Sequence, residues 1–109
     1  MKTPKRRAIL ILSEKVPLDC GLLREVVVWS VPVSTKYPDG VKYHLALVDP
    51  LSGNVWLLFD NHYPKGHHQH SRDGVENPLI YTNLTDLLTL YYEQEKAEVE
   101  RYESDANRS

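Results

Sequence analysis

The fold is constrained most by a series of short apolar runs, each closed by a turn rich in proline, glycine, aspartate or asparagine. In the run Val41–Val48, every second residue from Val41 to Leu47 is apolar, which is typical of a half-buried strand. The short connection Asp49–Asn54 follows, and then a second apolar run, Val55–Phe59. Two such runs joined by a short loop predict an antiparallel hairpin.

Two further strands are predicted before this hairpin. Ala8–Leu12 is a short apolar run, and Leu22–Val33 is rich in the β-branched and aromatic residues that favour strands. The turn Tyr37–Gly40 separates the second run from the hairpin, because proline presets φ and glycine accepts a positive φ. Near the other end of the chain, Leu79–Tyr81 is a short extended piece.

One helix is predicted at the carboxyl end. Asn83 can cap it, and the apolar stripe that follows has helical spacing: Leu84, Leu87, Leu88 and Tyr91. Beyond Tyr92 the stripe thins, so that end is either an exposed helical extension or a frayed tail. The predicted fold class is α+β, an antiparallel meander of four to five strands with one C-terminal helix packed on one face. The other face would be partly bare, with Trp29, Trp56 and tyrosines available for a dimer or partner interface.

The size of the chain predicts a single domain. With 109 residues, 1–109 form one unit, with a core over about 8–92 and an acidic tail over 93–109. A net charge of −2 indicates that the chain as a whole is not a basic nucleic-acid binder. The acidic tail could shield a site or recruit a basic partner, or it could be a solvated helix face.

The sequence predicts a cytoplasmic protein with no membrane segment. Cys20 is the one cysteine, so no intrachain disulfide can form, and this fits a reducing cytosol. No apolar run approaches the roughly 20 residues of a membrane helix. The basic start is followed only by Ala8–Leu12, which is too short for the apolar region of a signal peptide.

Chemistry is expected in the segment that joins the fourth strand to the rest of the chain. Four of the five histidines lie within His62–His70, around the structure-breaking residues Pro64 and Gly66. Imidazole exchanges protons near neutral pH and binds transition metals. Three interpretations compete: acid–base catalysis, metal binding, and a solvated polar loop that happens to be rich in histidine.

In the acid–base interpretation the imidazoles cleave RNA without a cofactor. One group takes the 2′-hydroxyl proton and another protonates the leaving oxygen. His68 and His70 would project to the same side of an extended segment. Lys65 or Arg72 could meet the phosphate, and Asp60 could orient an imidazole.

In the metal interpretation the same histidines bind zinc or another divalent ion. His68 and His70 would chelate it, with His62 or Asp60 as a third ligand. No cysteine lies near, so a closed zinc finger is excluded. His44 is predicted to be a surface strand residue, and Asp39 a turn residue without a chemical role.

The strand that ends at Phe59 closes on the pair Asp60-Asn61, and Lys65-Gly66 and His68-Gln69-His70 follow it. With the strand sequences before it, over roughly residues 8–92, this pattern resembles the small TumE-type proteins of prokaryotic toxin–antitoxin loci, in which a strand closes on Asp-Asn and a Lys-Gly-x-His-x-His run follows. The resemblance implies a toxin-like component encoded beside a helix-turn-helix antitoxin. It supports a functional set of Asp60, Asn61, Lys65, Gly66, His68 and His70, with His62 and His67 outside the pattern.

Together these observations predict a toxin that acts on RNA without a metal. His68, His70, Lys65 and Asp60 are the predicted catalytic residues. The predicted binding residues are Asn61, Gly66, Arg72, His62 and His67. The alternatives are a non-catalytic module that binds its partner, and a divalent-metal-dependent hydrolase. Expected partners are the antitoxin and RNA, and a homodimer is compatible with the bare sheet face.

Overall fold

A computed structural model describes residues 7–107 of the chain. Within these residues, six strands follow one another along the chain and one helix comes after them. Their bounds are β1 Ile9–Pro17, β2 Leu23–Ser30, β3 Val41–Val48, β4 Val55–Asp60, β5 His68–Ser71, β6 Glu76–Pro78 and α1 Leu84–Ala106.

The six strands form one antiparallel sheet in which each strand pairs with its neighbours in sequence. The helix packs on one face of this sheet, so the predicted α+β meander with one C-terminal helix is confirmed. The strands number six rather than four or five, because His68–Ser71 pairs with β4 and then with Glu76–Pro78. The short extended piece predicted at Leu79–Tyr81 is irregular, and the strand lies just before it.

The two faces of the sheet differ in character, because residues directly opposite each other on neighbouring strands point to the same side. The helix face contains most of the core, including Val26, Leu45 and Phe59 in one row across three strands. Phe59 meets Tyr91 of α1 edge to face, with ring centroids 5.3 Å apart. The opposite face carries no helix among residues 7–107, and we call it the open face.

Of the two tryptophans expected on a bare face, only Trp29 lies on the open face. It pairs with Lys42 across β2 and β3, and its side chain is exposed. Trp56 packs against the helix, edge to face with Tyr102 at 5.0 Å. Its position follows from the irregular register near the start of β4, which disturbs the alternation of the side chains.

The helix begins at the predicted cap and continues well beyond Tyr92. The Asn83 side chain accepts a hydrogen bond from the Asp86 N–H at 2.8 Å, which satisfies one free donor of the first turn. The helix ends at Ala106, and Glu95 and Tyr102 of its second half pack against the sheet. The alternative of a helical extension is therefore the one observed, but much of it is packed rather than exposed. No helix within residues 7–107 is long and apolar enough to cross a membrane.

Candidate functional site

The segment rich in histidine leaves β4 through a buried asparagine. The side chain of Asn61 accepts a hydrogen bond from the Tyr43 N–H at 2.9 Å and donates one to the Val41 carbonyl at 2.8 Å. Both partners belong to β3, so the amide takes the place of a strand residue in the pairing. Asn61 therefore has a structural part in fixing where the segment begins.

The segment then turns back to form β5, and Gly66 is the residue that permits this. Its φ is +72°, a left-handed conformation that glycine adopts without the strain of a Cβ atom. The Gly66 carbonyl lies 2.7 Å from Nδ1 of His68. Since a carbonyl only accepts, Nδ1 carries the proton, and Nε2 of the neutral ring is left with its lone pair.

Three polar residues form a row across the open face. His44, Asp60 and His68 lie directly opposite one another on β3, β4 and β5. His44 Nδ1 lies 3.4 Å from Asp60 Oδ2, and Asp60 Oδ1 accepts the His62 N–H at 2.6 Å. Asp60 thus contacts an imidazole, as expected, but this imidazole belongs to His44.

The charge of the Asp60 carboxylate is stabilised in this row. Burial by itself would raise the pKa of Asp60, but the hydrogen bonds from His44 and the His62 N–H outweigh it. The charges of His44 and His68 act in the same direction, and the pKa lies below its usual value of 3.8. The open face therefore holds a fixed negative charge beside its imidazoles at neutral pH.

The lowered pKa of Asp60 gives an expected dependence of stability on pH. Asp60→Asn keeps an oxygen for the His62 N–H and removes the charge. Because the folded pKa is depressed, the stability that the carboxylate contributes is present above about 3.8 and is lost as the pH falls through the folded pKa. The wild type should therefore exceed Asp60→Asn in stability at about pH 5, and the gap should close towards pH 2. Urea unfolding at each pH measures this, and a gap that widens on acidification would contradict it.

A group of titratable side chains lies where β5 pairs with β6. His68, His70 and Glu76 each offer one ligand atom, and these atoms lie within 4.8 Å of one another. The two imidazole rings meet edge to face at 5.0 Å, and His70 Nε2 is 3.9 Å from Glu76 Oε2. Lys65 Nζ contacts the same carboxylate oxygen at 3.1 Å. We call these four residues the histidine centre.

The arrangement of the histidine centre suits two kinds of chemistry. His68 offers a lone pair at Nε2, His70 has a nitrogen near a carboxylate, and Lys65 supplies a positive charge. These are the groups of a general base, a general acid and an anion-stabilising cation. The hydrogen bond from Lys65 lowers the pKa of Glu76, so this carboxylate is charged at neutral pH. Two imidazoles and a carboxylate are also ligands that could hold a divalent metal ion.

His67 lies apart from the histidine centre, on the side of the sheet that the helix covers. Its Nε2 donates to Asp39 at 2.8 Å, and its Nδ1 accepts the Tyr43 hydroxyl at 2.8 Å. The ring also stacks on Tyr81, with centroids 4.7 Å apart. Burial raises the pKa of Tyr43, so its hydroxyl stays protonated. This group ties the segment to the turn before β3, and Asp39 has the structural role that the sequence indicates.

Two further predicted binding residues do not join the histidine centre. His62 is exposed and lines a cleft of the open face together with His44 and Asp60. The guanidinium of Arg72 lies 4.5 Å from the Trp56 ring centroid and 3.4 Å from an Asp105 carboxylate oxygen. Both of these partners lie on the helix side, so Arg72 points away from the face that carries His68 and His70.

Sequence patterns did not assign roles to two residues of the site, His44 and Glu76. His44 appears in sequence as an ordinary exposed strand residue, and Glu76 as one acid in a polar loop. The missing signal is the strand register: pairing Ala46 with Leu58 places His44 opposite Asp60. The β5–β6 hairpin similarly places Glu76 opposite His70.

Comparison of the chain with protein-family models, with curated proteins and with solved structures found no match. The class of protein is therefore defined by its fold and its site. Residues 7–107 form a six-stranded antiparallel meander backed by one helix, with the histidine centre on the open face.

Proposed function

We propose that the protein is the toxin-like component of a prokaryotic toxin–antitoxin pair and cleaves RNA at the histidine centre. The observation that carries the proposal is the hydrogen bond from His68 Nδ1 to the Gly66 carbonyl, which leaves a lone pair on Nε2 of a ring that meets His70 edge to face. The resemblance of Asp60–His70 to the TumE-type proteins supports the toxin role. A cytoplasmic location is part of the proposal.

The proposed reaction is an attack within the RNA chain. Nε2 of His68 takes the proton of a ribose 2′-hydroxyl, and that oxygen forms a bond to the adjacent phosphorus. The bond from phosphorus to the 5′-oxygen breaks, and protonated His70 gives its proton to that oxygen. The products are a 2′,3′-cyclic phosphate and a free 5′-hydroxyl. Lys65 moves from Glu76 to the phosphate and stabilises its developing charge.

The position of Lys65 favours the metal-free version of this chemistry. Its ammonium group already lies 3.1 Å from the Glu76 carboxylate, so the acid has a cationic partner without a metal ion. Lys65 is also 59% exposed, and its flexible side chain can exchange this surface ion pair for a phosphate at small cost.

The decisive test is the toxicity of a variant that lacks both imidazoles. We expect induced wild-type protein to arrest bacterial growth and His68→Ala/His70→Ala to relieve the arrest while keeping the native circular dichroism spectrum. Arg101→Gln changes an exposed cation on the helix and should remain toxic. A double variant that folds and is still fully toxic would disprove the acid–base role.

A divalent-metal-dependent hydrolase is the second candidate, because the ligand atoms of His68, His70 and Glu76 lie within 4.8 Å. Protein purified without a histidine tag distinguishes the two candidates. A stoichiometric metal together with loss of RNA cleavage in chelator would favour the hydrolase, whereas cleavage that persists in chelator supports the metal-free reaction.

The proposed partners are RNA and a helix-turn-helix antitoxin encoded nearby, and a homodimer fits the same proposal where its contact leaves the histidine centre accessible. A non-catalytic partner-binding module is the remaining alternative. It would be favoured if the purified chain bound the antitoxin and left several RNA substrates intact.

A further inference from the structure

The open face has a second feature, an apolar cavity beside Trp29. This cavity measures about 620 Å³. Its lining includes Trp29, Tyr37 and Lys42, together with Val31 and Pro32. Trp29 is 36% exposed, so part of its ring is accessible to a ligand.

The cavity beside Trp29 continues towards the histidine centre. Trp29 and Lys42 also line a neighbouring cleft of about 240 Å³, whose other walls include His44, Asp60 and His62. His44 and Asp60 stand in the same row of the sheet as His68. The two cavities and the row therefore lie along one path that crosses β2, β3, β4 and β5. At the usual spacing of strands this path is roughly 14 Å long.

The Trp29 end of this path suits an anion. Asp60, farther along the path, lies beside His44, and Asp39 lies beside His67. Lys42 has no carboxylate partner among residues 7–107, and its Nζ lies 6.0 Å from the Tyr37 ring centroid. An exposed aromatic ring next to an unpaired cation is the combination that binds a stacked base and its phosphate.

We infer that Trp29, Tyr37 and Lys42 form a nucleobase-binding subsite for single-stranded RNA, from which the strand runs across the open face to the histidine centre. The inference rests on the proposed function, and it names the substrate class as unpaired RNA. A base stacks on Trp29 and Lys42 contacts a phosphate. Duplex RNA does not fit, because its bases are stacked inside an A-form helix.

The test uses a single-stranded RNA of about ten nucleotides, within the range that single-strand binders cover. Methylation of its 2′-hydroxyls prevents cleavage. The chain has two tryptophans, so Trp56→Phe leaves Trp29 as the only indole, and Trp29→Phe leaves Trp56. We expect RNA to quench the fluorescence of Trp56→Phe strongly and that of Trp29→Phe hardly at all.

The anisotropy of labelled RNA measures the affinity, and it tests how much Trp29 and Lys42 contribute to binding. Trp29→Ala should weaken binding by about 5- to 150-fold, the loss of one base–aromatic stack, and Trp29→Phe should retain most of the affinity. Lys42→Gln, at an exposed position, should reduce the slope of log affinity against log salt by about 0.7. Duplex RNA should compete poorly.

These outcomes separate the subsite from the proposed reaction. The subsite is overturned if both Trp29→Ala and Lys42→Gln keep the wild-type affinity for RNA. It is also overturned if RNA quenches Trp56 in Trp29→Phe. Both conclusions hold even if the wild type cleaves RNA. Binding that depends on Trp29 in a chain that cleaves no RNA supports the subsite and counts against catalysis. Equal affinity for duplex and single-stranded RNA overturns the inferred substrate class.

Discussion

His68→Asn is expected to lower the rate of RNA cleavage by about 10²- to 10⁴-fold, the usual effect of losing one proton-transfer group. The asparagine amide can still donate to the Gly66 carbonyl in the place of Nδ1, which lies 2.7 Å from it in the wild type. The variant has no atom in the place of Nε2, so it cannot take the 2′-hydroxyl proton. The measurement is the initial rate of cleavage of a labelled single-stranded RNA by purified protein.

Two controls separate the chemistry of His68 from its packing. The thermal midpoint of His68→Asn should stay near that of the wild type, because the hydrogen bond to Gly66 is retained. His68→Gln is the matched variant, since its longer amide reaches the position of Nε2 but cannot accept a proton. It should be as inactive as His68→Asn. If either variant cleaves RNA at the wild-type rate, His68 is not the base.

Where the sequence carries strong periodicity, it predicts the fold closely. The alternation from Val41 to Leu47 predicted β3 with its observed bounds, and Asn83 marked the start of α1. The strands β5 and β6 were missed because neither His68–Ser71 nor Glu76–Pro78 alternates apolar with polar residues. Their pairing with β4 and with each other holds them extended, and such tertiary effects override local preference.

The second half of α1 is another region whose packing the sequence does not predict. The sequence from Glu93 onward is charged and has few apolar positions, so nothing local indicates that Glu95 is buried. It is buried because Arg24, on β2, neutralises it. A pairing between residues so distant in sequence has no periodic signature.

For the candidate site, the spacing of His68 and His70 indicated a shared side, and the structure brings both rings together in β5. The other members depend on register. Glu76 and His44 join the imidazoles only because β6 and β3 align as they do. His67, which precedes β5, contacts Tyr43 and Tyr81 on the helix side, whereas His68 lies on the open face, so the count of histidines overstates the number that act together.

The ion pair between Arg24 and Glu95 joins β2 to the helix. Arg24 Nε lies 2.9 Å and 3.0 Å from the two Glu95 oxygens, and Nη2 lies 2.6 Å from Oε1. Glu95 is only 3% exposed. Tyr92 and Glu14 complete the group: the Tyr92 ring lies 5.1 Å from the guanidinium, and the Tyr92 hydroxyl donates to Glu14 at 3.0 Å. The hydrogen bonds to Glu95 raise the pKa of Arg24 further, although burial alone would lower it, so Arg24 keeps its charge.

Arg24→Leu should therefore destabilise the protein by about 3 kcal/mol, because it leaves the Glu95 carboxylate buried without a partner. We place the effect at the lower end of the range for buried pairs, since the Arg24 side chain is 24% exposed and water can reach the vacated position. The free energy of unfolding of a typical domain is about 5–15 kcal/mol, so this loss is a large share of it.

The double variant Arg24→Leu/Glu95→Leu should recover most of the loss, because replacing both charges removes the unpaired group. Asp105→Asn breaks the exposed pair between Arg72 and Asp105 of the same helix and should cost less than about 1 kcal/mol. Urea unfolding gives all three values. If the double variant is no more stable than Arg24→Leu, the loss comes from packing of the guanidinium on Tyr92 rather than from the stranded charge.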